Sequence, residues 1–220
     1  MLKKLNDLYL KQRFRPNIIS IFINPFYLDR KSLLEYLKNY TKNLKGDLLD
    51  YGCGAKPYKY LFENISTYIG IDIENDSHNH ENEYVDIFYD GKKLPFKENS
   101  FDVVFSTEVL EHVENIEESL NEINRVLKCG GKLLISVPFI FPEHEMPYDF
   151  RRLTAIGLKR ILEENGFNII SLNRYGKSNN VISQLMIMHI HNLFYTKNKY
   201  FNLLLNIIFI FPIILLSLIF

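Results

Sequence analysis

Residues 46–54, GDLLDYGCG, decide how the rest of the chain is read. Leu48 and Leu49 make the short apolar run of a buried strand, Asp50 closes it, and Gly52 and Gly54 follow at once in a turn. Glycine has no Cβ, so a turn built on two of them lets a ligand come close to the main chain. Two glycines alone are weak evidence, because most G-x-G matches are ordinary turns. A second strand pattern, Tyr68 to Ile73, carries another acid near its end. Asp72 stands 22 residues after Asp50, close to the roughly 20 that separate a glycine turn from a ribose-binding carboxylate on the next strand. Strand, turn and distant acid together describe a cradle for a nucleotide-type cofactor.

The alternation continues outward from this point. Strands are expected at Asp47–Asp50, Tyr68–Asp72, near Tyr84–Ile87, at Phe101–Ser106 and at Lys132–Val137, with a sixth at Asn168–Leu172. Helical patterns lie between them at Tyr58–Glu63, Ile116–Leu127 and Ala155–Asn165, the last stopped by Gly166. Strands alternating with helices predict the α/β class, here a Rossmann-like parallel sheet with helices on both faces. No seventh strand is legible. Asn99 and Ser100 read as the turn into the fourth strand, and Gly130-Gly131 as a helix stop with a tight entry into the fifth.

Upstream, helical patterns at Leu2–Phe14 and Tyr27–Leu44 flank Pro16 and predict a helical N-terminal lid, residues 1–45. The Rossmann-like domain is expected over 46–178. From 179 to 220 the pattern is apolar and helical, and FNLLLNIIFIFPIILLSLIF has no charged residue after Lys199. Twenty helical residues span about 30 Å, the hydrocarbon thickness of a bilayer. Residues 201–220 therefore read as a membrane helix or re-entrant hairpin, with Lys197 and Lys199 on the cytoplasmic side. The other reading is a buried or oligomer-forming helix pair. Exposed apolar surface of that size favours the membrane and places the protein on its cytoplasmic face.

Composition narrows the function classes. With 220 residues and 47% hydrophobic content the chain can bury one substantial core. Its formal net charge of zero argues against a nucleic-acid binder, which carries a basic patch. The two cysteines, Cys53 and Cys129, show no C-x-x-C pairing and no histidine spacing for a metal, so both are expected reduced and structural, and no metal is expected. The N-terminal MLKKLNDLYLKQRFRP lacks the continuous apolar core of a signal peptide.

Five stretches, LLDYGCG, YIGIDI, LPFKENSFDVVFSTEVLEHV, EINRVLKCGGKLLISVP and PYDFRRLT, follow in this order between about Gly46 and Phe167. Through them the chain resembles the class I S-adenosylmethionine-dependent methyltransferases, and within these the small bacterial branch called type 11. The resemblance implies that Gly52 and Gly54 let the backbone wrap the amino-acid portion of S-adenosylmethionine. It also implies that Asp50 orients the ammonium through the turn and that Asp72 takes the ribose hydroxyls. The family has a further glycine after Gly54, where this chain has Ala55-Lys56-Pro57. Asp90 of DGKKLPF matches the acid near the adenine amino group, with Asp86 as the competing choice. Ser106, Glu108 and His112 of STEVLEHV fall near the carboxyl edge of the sheet, where open parallel sheets bind ligands.

His112 is the candidate general base, since an imidazole ordinarily titrates near 6.5, and its competing role is to pack or cap beneath the cofactor. In HEMPYDFRR, the residues His144, Tyr148, Asp149, Arg151 and Arg152 form the expected acceptor region. Tyr148 and Asp149 join His112 as catalytic candidates there, and the arginines suit a phosphate or carboxylate. Alternatively Asp149 and Arg152 pair with each other to fix the loop. The expected acceptor is a small molecule or a lipid-linked glycan or isoprenoid. Two rival readings are a quinone-ring carbon methyltransferase and a non-catalytic membrane-docked protein. A dehydrogenase is disfavoured because G-x-G lacks the third glycine of the dinucleotide fingerprint.

Overall fold

The computed structural model describes residues 12–74 and 84–219. Residues 12–39 with 175–219 form one compact unit, and residues 40–174 form the other. The segments expected as lid and tail thus contribute to one unit, while the expected helix Leu2–Phe14 lies mostly outside the described residues.

The second unit holds a five-stranded sheet: β1 Gly46–Tyr51, β2 Ile65–Ile73, β3 Ile87–Tyr89, β4 Phe101–Thr107 and β5 Leu127–Ser136. Their order is β3-β2-β1-β4-β5 and every pairing is parallel. Strands of such a sheet are covered on both faces, which is why β1 and β4 read as nearly unbroken apolar runs. Leu48, Leu49, Val103, Val104 and Phe105 are all buried. The helix Ile116–Val126 adds Ile116, Leu120, Ile123 and Val126, buried at helical spacing, with Glu117 and Glu118 in its first turn where the helix dipole favours acids. Arg125 ties this helix to the LPF loop. Its guanidinium donates to the carbonyls of Leu94 and Phe96 and pairs with Glu122, whose other contact is the Leu94 N–H.

Three local expectations are corrected. In place of a helix at Tyr58–Glu63 there is only a 3-10 turn, Lys59–Leu61, because Tyr58 and Phe62 are both turned edge-on against Phe105. Gly130-Gly131 does not stop a helix: the helix ends at Val126 and β5 begins at Leu127. The register then advances from Phe101↔Leu127 to Val103↔Lys132, so the glycines form a bulge inside the strand. The sixth strand at Asn168–Leu172 is absent among the described residues. Phe167 and Ile169 pack on the core, but Ile170 is 86% exposed and no ladder forms. Side-chain bonds among Tyr40, Ser171 and Asn173 hold the segment instead.

The first unit holds most of helix Tyr27–Thr41, helix Ser178–Phe194, and after it an apolar rod of Lys199–Leu205, a π turn Asn206–Ile210 and Phe211–Ile219. Pro212 has no N–H to donate and crowds the preceding turn, and beside it the Phe211 N–H reaches back to the Asn206 carbonyl. Ile187, Ile210 and Ile214 pack with Tyr27 and Leu28. Polar ties accompany them: Gln184 Nε2 donates to the Pro25 carbonyl at 2.8 Å, and Ser217 Oγ to Asn180 Oδ1 at 3.0 Å. Residues Tyr200–Ile219 are long and apolar enough to cross a membrane, with mean hydropathy 2.6, and only 28% of that stretch is buried.

Candidate active site

The strand order reverses between β1 and β4, so the carboxyl ends of these two strands open the crevice where doubly wound sheets take their ligands. On the β1 side the chain leaves the sheet through Gly52 and Gly54, both in the left-handed region at φ +70° and +46°. A Cβ at Gly52 would strike the Val109 side chain at 2.5 Å, whereas a Cβ at Gly54 would meet nothing within 4 Å. Gly52 is therefore required by the packing of the chain, and Gly54 borders open space. The Gly52 and Cys53 N–H groups donate to the Ile71 carbonyl, and the Gly54 N–H donates to Asp72 Oδ2 at 2.7 Å.

Asp72 thus fastens the turn, its Oδ1 accepting the Ile73 N–H at 2.8 Å. Asp50 lies deeper. Burial pushes its carboxyl up to about 7, against the lowering effect of the Tyr68 hydroxyl, which donates to it at 2.5 Å. Lys56 adopts φ +50°, the left-handed geometry glycine favours, so the departure from the family's glycine pattern is felt at Lys56 rather than Ala55. Its buried ammonium pairs with Asp86, which also accepts the Gly70 N–H. Asp86 is thereby committed to the chain, while Asp90, exposed just beyond β3, caps only the Lys92 N–H. Ser106, near the end of β4, is 1% exposed and its hydroxyl has no hydrogen-bond partner among the described residues.

On the β4 side, Glu108 takes a left-handed φ of +54° and its carboxylate accepts the Ser136 hydroxyl at 2.7 Å. A 3-10 turn, Leu110–His112, then brings Glu111 and His112 to the loop after β5. His112 Nδ1 meets the Tyr148 carbonyl at 2.7 Å; a carbonyl only accepts, so Nδ1 is the donor in that bond. The His112 and His144 rings stand edge to face, 4.8 Å apart. Burial lowers the His144 pKa, and the nearby His112 lowers it further.

The loop itself is held from within. Arg152 grips both oxygens of Asp149, at 2.5 and 2.7 Å, and holds that carboxyl well below the usual range. Asp149 also accepts the His144 N–H. Arg151 is spent on the carbonyls of Leu110, Val113 and Glu114, closing the 3-10 turn. Of the expected site residues, the structure brings His112, Tyr148 and Asp149 together through His144, with Asp149 1% exposed in its ion pair and Tyr148 contributing its main chain. Sequence reasoning passed over Glu111. It is 1% exposed, both of its carboxylate oxygens lack a hydrogen-bond partner among the described residues, and burial, with Glu108 nearby, raises its pKa. The signal was the Glu-His pair of LEHV, visible only as a neighbour of His112.

The family profile described as "Methyltransferase domain" matches residues 49–135, which run from β1 through β5 and include both sides of the crevice. Over these residues the chain is similar to the methyltransferase domains of the S-adenosylmethionine-dependent class. A relative in Mycolicibacterium smegmatis, named a probable S-adenosylmethionine-dependent methyltransferase, is 31% identical over 134 residues, 56% of this chain and 52% of that one. The ubiquinone/menaquinone biosynthesis C-methyltransferase of a Ruegeria species is 35% identical over 81 residues, 37% of this chain and 28% of that one. The solved S-adenosylmethionine-dependent methyltransferase of Mesorhizobium loti superposes with a TM-score of 0.53 at 16% identity, covering 74% of this chain and 93% of its own, a likeness of fold. The chain spans about half the length of the M. smegmatis relative and about a quarter of the Ruegeria one. The methyltransferase domain's cofactor is S-adenosylmethionine, and the open space at Gly54 with the carboxylate of Asp72 fits it.

Proposed function

We propose that this protein moves a methyl group from S-adenosylmethionine to a small-molecule or lipid-linked acceptor, a glycan or an isoprenoid, at the cytoplasmic face of a membrane. The observation that carries methyl transfer is the glycine turn at the switch point, pinned by Asp72 and open at Gly54. When bound, the cofactor supplies an electrophilic methyl group on a sulfonium. The chain's task is to align donor and acceptor, and such alignment is worth roughly 7–11 kcal/mol in favourable cases. Gly52 and Gly54 receive the amino-acid portion, Asp72 the ribose diol, to which a carboxylate offers two charge-assisted hydrogen bonds, and Asp90 the adenine edge. Proton removal from the acceptor falls to the cluster of Glu111, His112 and His144.

Two observations support the membrane. Tyr200–Ile219 has the length and hydropathy of a span, and Ile207, Ile208, Leu215, Leu216 and Ile219 are each at least 45% exposed. Expressed protein is expected in the membrane pellet, and a form truncated before Val181 in the supernatant; equal solubility of the two would defeat this part. For the cofactor, calorimetry with S-adenosylhomocysteine is expected to show one site, weakened about tenfold or more by Asp72→Ala, which removes the acceptor of the Gly54 N–H. No heat of binding to the wild-type chain would favour the non-catalytic reading. The partial likeness to a quinone C-methyltransferase supports a second acceptor class, and mass spectrometry of products from quinones and from lipid-linked glycans separates the two.

A further inference from the structure

We propose that Glu111, His112 and His144 bind a divalent transition-metal cation of the zinc type at the carboxyl edge of the sheet. Among the described residues these three bring ligand atoms within 4.8 Å of one another. Glu111 Oε1 stands 3.7 Å from His112 Nε2, and Glu145 Oε2 lies 3.6 Å from the same nitrogen. Two ligands held tetrahedrally at zinc distances are about 3.4 Å apart, so this pair needs to close by only a few tenths of an ångström.

The buried carboxyl is an independent pointer. Glu111 is 1% exposed, and among the described residues neither oxygen has a hydrogen-bond partner. A cation satisfies the carboxylate directly. The imidazoles are also prepared from behind. His112 Nδ1 is held by the Tyr148 carbonyl at 2.7 Å, and His144 Nδ1 lies 3.2 Å from the Pro142 carbonyl, 3.3 Å from Asp149 Oδ2 and 3.4 Å from Arg152 Nη2. Carbonyl or carboxylate partners on one ring nitrogen, with the other left for the metal, are the usual outer support of ligating histidines. Arg152 fixes Asp149 in turn, which gives the internal ion pair of this loop a purpose.

Two imidazoles and one carboxylate leave a coordination position open. On the methyl-transfer reading above, that position takes an acceptor hydroxyl. The O–H bond then breaks, the oxygen keeps the electron pair on the cation, and the proton passes to solvent. His112 is in that case a ligand, and the cation replaces it as the group that draws the proton off.

Full-length protein freed of metal by a chelator and titrated with cobalt(II) chloride tests the site. We expect one equivalent to bind with the strong visible absorption of four-coordinate cobalt, and zinc to displace it. Glu111→Gln, His112→Ala and His144→Ala should each weaken cobalt uptake about tenfold or more, with His189→Ala, on an exposed helical position, as an unchanged control. S-adenosylhomocysteine calorimetry on each variant reports whether the domain is folded. If a variant loses that binding too, the wild-type titration decides alone. Failure of the wild-type chain to take up one equivalent, or full affinity in folded Glu111→Gln, overturns the proposal. Cofactor-analogue binding without cobalt uptake would remove the metal site and leave the methyl-transfer reading standing, and cobalt uptake without analogue binding would do the reverse.

Discussion

At the carboxyl end of β1 the facing groups come from residues 50–56 and from Asp72 on the neighbouring strand, whereas beyond β4 Glu111 and His112 meet His144 and Asp149 across some thirty residues of chain. The first side is main chain and small residues, satisfied by ladder bonds and one carboxylate. The second is side chains, held by a loop whose own arginines are consumed in keeping its shape. The contrast teaches that the β1 side is set by local chain, while the β4 side is assembled from distant segments and is braced by its arginines.

Breaking the local side should give the largest effect on ligand binding. Gly54→Val puts a β-branched side chain into the open space at a left-handed position. S-adenosylhomocysteine affinity is expected to fall about 100-fold, some 2.7 kcal/mol, while urea unfolding shows a smaller loss, about 1–2 kcal/mol, from the backbone strain. Affinity kept within threefold in calorimetry would place the ligand elsewhere. On the assembled side, Arg151→Ala frees the carbonyls of Leu110, Val113 and Glu114 and should cost about 2 kcal/mol in the same unfolding assay. A null result there would mean that the 3-10 turn needs no brace.

A finer distinction comes from Asp50. Its carboxyl titrates near 7 in the fold and at the ordinary 3.8 when unfolded. Between those values the folded chain keeps a proton that the unfolded chain releases, so stability declines as pH rises through the window, by up to about 1.4 kcal/mol per unit. Asp50→Asn removes the slope, and the variant should gain on the wild type from pH 4.5 to 7 in urea midpoints. Parallel pH profiles would show Asp50 charged throughout. The smallest effect is expected from Lys56→Gly, where relief of the left-handed φ opposes loss of the Asp86 pair. The net change should stay within about 1 kcal/mol in thermal melts.

Much of the fold was legible. Apolar runs at Leu48-Leu49 and Val103-Val104 mark strands buried on both faces, and the four- and three-residue spacing of Ile116, Leu120, Ile123 and Val126 marks their covering helix. Where the reading failed, packing overrode pattern. Tyr58 and Phe62 serve Phe105 rather than a helix, and Asn168–Leu172 has strand composition but no partner to ladder with. In the site, the Gly52–Gly54 turn and the acid at Asp72 were visible from spacing, because strand length and turn geometry fix how far apart they must be. Asp149 and Arg152 were visible as a pair three residues apart, and the bonds between them favour the loop-fixing reading.

The sequence by itself determined the strand-turn-acid frame, the alternation that makes the sheet parallel, and the apolar tail, since periodicity and the absence of side chains act over a few residues. Only the tertiary structure decided that Lys56 takes a glycine's conformation, that the tail folds back beside Tyr27 and Leu28, and that Glu111 is entombed beside two histidines. Those outcomes depend on desolvation and on contacts between distant segments, and neither leaves a trace in the order of residues along the chain.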